Sequence, residues 1–153
     1  CSHEVLLTKL RHYGIQDKEL KWFARYLENR HQRVDINGIL SDILSIDDIS
    51  IFQGSILGPL LFLIYINDLP EVSCLLSILF ADDTQALARG KNLPELITKV
   101  NCELIKLSAW FRANRMKVNT EKTKFMIFHR KGKIVDMGNL NIEYNDKIGR
   151  AHV

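Results

Sequence analysis

The chain has 153 residues, 46% hydrophobic and 25% charged, with 8 Gly and 3 Pro; this suits one compact domain with a substantial core, leaves little length for a second, and excludes disordered, collagen-like and low-complexity classes. Its three cysteines, Cys1, Cys74 and Cys102, are an odd number without a CxxC pair, which suggests neither a disulfide framework nor a thiolate zinc site and makes a reducing compartment the default. The net charge of +3 is mild but uneven: Arg112 to Lys133 holds eight Lys or Arg and one acid, Glu121, while the remainder is acidic, a pattern that fits either a solvated surface or a phosphate backbone.

The first residue is Cys, and no basic stretch, apolar core and cleavage site opens the chain, so the sequence reads as a piece of something longer. Val5, Leu6, Leu10 and Tyr13 fall near helical spacing and Gly14 supplies a stop, which predicts a first short helix. Asp17 is placed to cap a second, whose apolar face of Leu20, Phe23 and Leu27, with Trp22 and Tyr26 alongside, runs out near Asn29. His31 to Ile36 and Ile43 to Ile51 are rich in β-branched residues, and Asn37-Gly38 between them is a strong hairpin signal. Leu57 to Leu69 is apolar nearly all round with Pro59 in its first turn, which predicts a helix buried on most sides. The longest apolar run, Ile56 to Ile66, has eleven residues interrupted by Gly58-Pro59; roughly 20 are needed to span a bilayer, so no membrane segment is expected.

Beyond Pro70, Leu75 to Phe80 and Thr84 to Ala88 predict two short strands meeting at Ala81-Asp82-Asp83, with the acids at a hairpin tip. Asn92 with Glu95 resembles a capping box, and Leu93, Leu96, Ile97, Val100, Leu104, Leu107 and Phe111 carry a helical stripe onward from it. Lys124 to His129, and Leu140, Ile142 and Tyr144 ahead of Asn145-Asp146, predict a closing pair of strands. This order indicates an α+β fold, an antiparallel sheet covered on one face by the Leu57 and Leu93 helices, with no internal repeat or linker.

Two adjacent carboxylates, Asp82 and Asp83, follow an apolar strand. Hard oxygen ligands suit magnesium, which takes one or two carboxylates plus substrate phosphates, and two such ions about 4 Å apart clamp the attacking and leaving oxygens of phosphoryl transfer. The alternative is an acidic turn, and Asp47-Asp48 shows how readily the dipeptide arises. Gln53-Gly54-Ser55 precedes the Leu57 helix, where N–H groups and the helix dipole attract anions, glycine permits close approach and glutamine can bond a base or sugar edge; Ser55 as a simple helix cap is the other reading. Lys122, within the basic block, either reaches a triphosphate or donates a proton to a leaving pyrophosphate, or is an ordinary exposed lysine. His3, His12, His31, His129 and His152 share no metal-ligand spacing. Trp22 and Trp110 read as packing residues rather than base-stacking platforms.

Taken in order, these motifs resemble the reverse transcriptase domain of non-LTR (LINE or jockey-like) retrotransposons. Gln53-Gly54-Ser55-Ile56-Leu57-Gly58-Pro59-Leu60-Leu61-Phe62, continued by Tyr65-Ile66-Asn67-Asp68-Leu69-Pro70, is similar to the family's nucleotide- and template-contacting block. Phe80-Ala81-Asp82-Asp83 resembles its aromatic-x-Asp-Asp box, and Trp110-Phe111, Asn114, Asn119 and Lys122-Thr123 the block that follows. Ser2 to Leu7, Tyr13-Gly14-Ile15 and Tyr26 to Arg30 extend the likeness, so it covers residues 1–148 and leaves 149–153 as a tail.

The resemblance implies a polymerase palm with part of the fingers, and RNA-directed DNA synthesis with Mg²⁺ or Mn²⁺ on an RNA template, a DNA primer and deoxynucleoside triphosphates. It implies Asp82 as principal metal-binding and catalytic acid with Asp83 beside it, and Lys122 near the triphosphate. Gln53, Gly54 and Ser55 would shape the nucleotide pocket, with Phe62 packed behind. It further implies another metal-binding aspartate in a strand upstream of the segment matching Ser2-His3, and most of the fingers, a thumb and an endonuclease elsewhere in a parent polyprotein; the chain alone is therefore expected to be inactive. Ser50-Ile51-Phe52 stands where the family has Gly-Val-Pro, which changes that turn and suits a diverged copy. The alternative function is a degenerate, non-catalytic nucleic-acid-binding relic. Nuclear residence is expected from the family's priming on chromosomal DNA.

Overall fold

The computed structural model describes residues 1–28, 30–45, 54–129, 142–144, 147–148 and 151–152. The chain divides into two compact units, Cys1–Asn67 and Asp68–Val153. Helices and short paired strands alternate along it, so the fold is α+β as the sequence predicts. Among the described residues the strands pair two by two, and four of the five pairs are antiparallel.

In the first unit, α1 (His3–His12) buries His3, Leu6 and Leu10. It ends in a Schellman motif: Ile15 N–H donates to the Leu10 carbonyl and Gly14 N–H to that of Arg11, both at 3.0 Å, with Gly14 at φ +88°. Glycine alone takes that backbone without strain, which is why the helix stops there. Helix α2 (Asp17–Leu27) corrects one expectation, because Gln16 occupies the cap position and Asp17 is the first helical residue, making no capping bond. Its carboxylate still lies in the first turn, where the helix dipole favours it. Asn29 lies outside the described residues.

The hairpin predicted around Asn37-Gly38 is present. β2 (Asp35–Ile36) pairs with β3 (Ile39–Leu40), flanked by β1 (His31–Gln32) on β4 (Leu44–Ser45). Asn37 and Gly38 both have positive φ, 52° and 84°, as a type I′ turn requires. The second arm starts at Ile39 rather than Ile43, and residues 46–51 of the predicted strand lie outside the described ones. Helix α3 (Leu57–Ile66) buries Gly58, Leu61, Tyr65 and Ile66. It is buried on one side rather than most: Leu60 is 51% and Leu63 54% exposed, because within this unit it packs chiefly on α1, and one neighbour covers one face. The fully buried Tyr65 joins the two helices, its hydroxyl accepting from Ser2 N–H at 3.2 Å and its carbonyl from Lys9 Nζ at 2.6 Å.

The second unit opens with a 3₁₀ turn (Leu69–Glu71), followed by β5 (Leu76–Phe80) and β6 (Asp83–Leu87). Helix α4 (Leu93–Ala113) is capped as predicted, the Asn92 side chain accepting from Glu95 N–H at 3.0 Å. Among the described residues, Leu69, Leu75, Leu107 and Trp110 are this unit's buried apolar ones. The closing strands depart from expectation: β7 (Phe125–Met126) pairs in parallel with β10 (Ala151–His152), and β8 (Glu143–Tyr144) pairs with β9 (Lys147–Ile148). Short strands are placed by whichever partner tertiary packing presents, a choice their own alternation does not encode. Leu140 and Asn145-Asp146 lie outside the described residues. Among the described residues no helix is long and apolar enough to cross a membrane.

Candidate active site

Phe80 pairs with Asp83, so Ala81 and Asp82 form the two-residue loop of the β5–β6 hairpin. Ala81 has φ +50° and Asp82 does not share the positive sign, which is the pattern of a type II′ turn, a turn that prefers glycine at its first central position. The left-handed conformation costs an alanine about 1–2 kcal/mol. Ala81→Gly is therefore expected to raise stability by up to about 1 kcal/mol once glycine's extra unfolded-state entropy is subtracted; a lower thermal midpoint in the variant would contradict this strain. Asp82 and Asp83 are both exposed, and Asp83 shares its sheet face with Phe80, itself 80% exposed.

The hairpin is anchored from α4. Glu103, though acidic, is buried, and its carboxylate accepts from Cys74 N–H at 2.8 Å and from Lys106 Nζ at 2.7 Å. This bond holds the backbone two residues before β5. The sequence reading missed Glu103, although it falls on the inward stripe between Val100 and Leu107, where an acid needs a partner. The bond from Lys106, reinforced by that from Cys74, holds the Glu103 carboxyl below its ordinary range, and the same bond holds Lys106 above its own.

A depressed glutamate stabilises the fold above its unfolded pKa, about 4.3, and this stabilisation is lost as pH falls through the lower folded value. The raised lysine contributes below its unfolded pKa, about 10.4, and loses that contribution as pH climbs through the higher folded value. Glu103→Gln should lower the thermal midpoint at neutral pH and flatten the acid-side decline. Thermal melts of both proteins from about pH 3 to pH 7 check this, and parallel pH profiles would contradict it.

Lys122 is exposed, on a turn in the same unit. Asn119 organises that turn: its Oδ1 accepts from Glu121 N–H at 3.1 Å and Lys122 N–H at 3.2 Å, and its carbonyl accepts from Thr123 N–H and Oγ1. Of the basic block, Arg112, Arg115, Lys117, Lys122 and Lys124 are exposed, and the residues from 130 to 133 lie outside the described ones.

Gly54, Ser55 and Phe62 belong to the first unit; Gln53 and Ser50-Ile51-Phe52 lie outside the described residues. Gly54 has φ +85° and open space where a Cβ would stand, so only its backbone conformation demands glycine. Ser55 Oγ accepts from Gly58 N–H at 2.9 Å, which makes it the side-chain cap of α3. Phe62 is half-buried on α3. Of the two tryptophans expected to pack, Trp110 does, 8% exposed with its Nε1 donating to Asp68 Oδ2 at 3.2 Å, whereas Trp22 is 53% exposed. No group of three or more His, Cys, Asp or Glu side chains among the described residues could hold a metal ion.

Fold and hairpin define an α+β protein that presents two carboxylates at a tight, solvent-open turn. The model of the reverse transcriptase (RNA-dependent DNA polymerase) family matches residues 2–144, and the chain belongs to that family. No curated protein and no solved structure matches it.

Proposed function

We propose that these residues form part of an RNA-directed DNA polymerase of the non-LTR retrotransposon type, a portion of a larger polyprotein, in which residues 1–148 constitute the reverse transcriptase region. The observation that carries this reading is the pair Asp82 and Asp83, exposed at a two-residue hairpin, in a chain matched to the family over residues 2–144. The substrates are an RNA template, a DNA primer and deoxynucleoside triphosphates; the primer 3′-hydroxyl attacks the α-phosphate and pyrophosphate leaves.

The donor set fits a hard divalent cation, since both side chains offer oxygen and two carboxylates are the number magnesium takes when phosphates complete its shell. Bound there, Mg²⁺ or Mn²⁺ supplies charge neutralisation at the attacking and leaving oxygens. Asp82 is the principal ligand and Asp83 assists. Lys122 meets the triphosphate and supplies charge or a proton to the departing pyrophosphate. Gln53 and Gly54 shape the nucleotide pocket, Ser55 holds its turn by capping α3, and Phe62 packs behind.

The family resemblance implies a further metal-binding carboxylate besides Asp82 and Asp83, and on this reading the isolated chain is expected not to extend a primer. Work in the nucleus follows from priming on chromosomal DNA. A Mn²⁺ titration followed by paramagnetic broadening of amide resonances tests the site: broadening should centre on residues 81–84 and disappear in Asp82→Asn. Broadening centred elsewhere would remove the basis of the reading. Ser50-Ile51-Phe52 in place of the family's Gly-Val-Pro favours the second reading, a non-catalytic nucleic-acid-binding relic, under which the hairpin would bind no metal.

A further inference from the structure

Helix α2 carries two stripes. Leu20, Phe23 and Leu27 form the half-buried to buried one, while Lys18, Lys21, Trp22 and Arg25, at i, i+3, i+4 and i+7, form an outward one in which all four residues are exposed. At 3.6 residues per turn the helix's acids stand to either side of this stripe, Asp17 and Glu28 beyond Lys21 and Glu19 beyond Trp22. Among the described residues, no ion pair or side-chain hydrogen bond occupies Lys18, Lys21 or Arg25.

Trp22 is 53% exposed yet held in place. Its ring stacks on Tyr26, with centroids 5.6 Å apart and planes 13° from parallel, and Phe23 meets it at 84° and 5.1 Å. One helical turn further, the Arg30 guanidinium lies 4.8 Å from the Tyr26 ring centre, and its Nε donates to the Tyr26 carbonyl at 2.8 Å. A shallow groove of about 350 Å³, lined by Lys18, Glu19, Trp22 and Phe23, runs beside the indole. An indole left open to water forfeits burial of roughly 25 cal/mol per Å², and here it is pre-ordered by neighbours and bordered by unpaired cations.

We propose that this face of α2 binds a single-stranded polynucleotide, a base stacking on Trp22 while adjacent phosphates meet Lys18, Lys21 and Arg25. Stacking platforms set among positive charges are the general solution for single strands, and every base offers a π-face. An acidic peptide would satisfy the three cations but leave the ordered indole without a planar partner. The surface uses residues that the polymerase reading does not, so the two stand or fall separately.

Fluorescence anisotropy of fluorescein-labelled twelve-nucleotide oligo(rU) and oligo(dT) with the whole chain tests it, run from about 50 to 200 mM NaCl alongside Trp emission; the two strands distinguish RNA from DNA preference. Binding should quench tryptophan fluorescence. Trp22→Ala should weaken binding about tenfold and Trp22→Phe much less, as expected for loss of base stacking. The combined Lys18→Gln, Lys21→Gln, Arg25→Gln variant should lower the log–log salt slope by about 2, at roughly 0.7 per phosphate contact. It leaves every ring in place, so it keeps the test decisive should Trp22→Ala disturb the helix. Wild-type affinity and salt slope in both variants would place the strand elsewhere and overturn the proposal, as would no binding of either oligonucleotide or tighter binding of a twelve-residue glutamate peptide.

Discussion

Asp82→Asn is expected to lower primer extension by on the order of 10² or more when residues 2–144 replace the matching segment of an active reverse transcriptase and oligo(dT) is extended on poly(rA) with Mg²⁺. The amide keeps the shape of the carboxylate but removes the charge that, on the proposed reading, would hold a divalent cation against the triphosphate. Asp82 is exposed in the turn, so the exchange leaves the hairpin's packing intact and the loss falls on chemistry. Asp83→Asn should have the smaller effect, since the proposed reading gives Asp83 the assisting role. Equal extension by wild type and Asp82→Asn would end the catalytic assignment, and robust extension by the unfused chain would refute its need for a further carboxylate.

Trp110→Ala should destabilise the second unit by about 3–5 kcal/mol, the usual range for emptying a buried aromatic site. Trp110 is 8% exposed and its Nε1 bonds Asp68, so the substitution both opens a cavity and removes that donor. Trp110→Phe keeps most of the apolar contact and should lose about 1 kcal/mol for the bond. Urea unfolding midpoints check both. An alanine variant with an unchanged midpoint would mean that the α4 core does not support the unit that carries the hairpin. Against total stabilities of about 5–15 kcal/mol, the alanine loss is enough to threaten the fold itself.

Much of the candidate site was legible locally. The apolar strand ahead of Asp82, the turn chemistry of Ala81-Asp82-Asp83 and the Asn92 cap each act within a few residues, and the structure holds all three. The capping role expected of Ser55 is met, because a hydroxyl three residues before an unsatisfied helix N–H is bonded to it at once. Asp17 misled because its type suits a cap, while the backbone begins the helix one residue earlier than that role requires. Glu103 was missed because apolar periodicity says which face is inward but not that the Cys74 backbone N–H waits there.

The two tryptophans show where the boundary lies. By composition they are equivalent, yet one is the packed centre of a helix face and the other stands in water. The sequence by itself determined the α+β class, the Asn37-Gly38 and Asp82-Asp83 hairpins and the reach of the Leu93 helix, because turn preference, capping and hydrophobic period are properties of neighbouring residues. Only the tertiary structure decided that Leu60, Leu63 and Trp22 face solvent, that β7 takes β10 as its partner and that an acid on α4 anchors the hairpin carrying Asp82 and Asp83. Burial and long-range pairing depend on which distant element arrives to cover a face, and that is a property of the assembled chain rather than of any stretch within it.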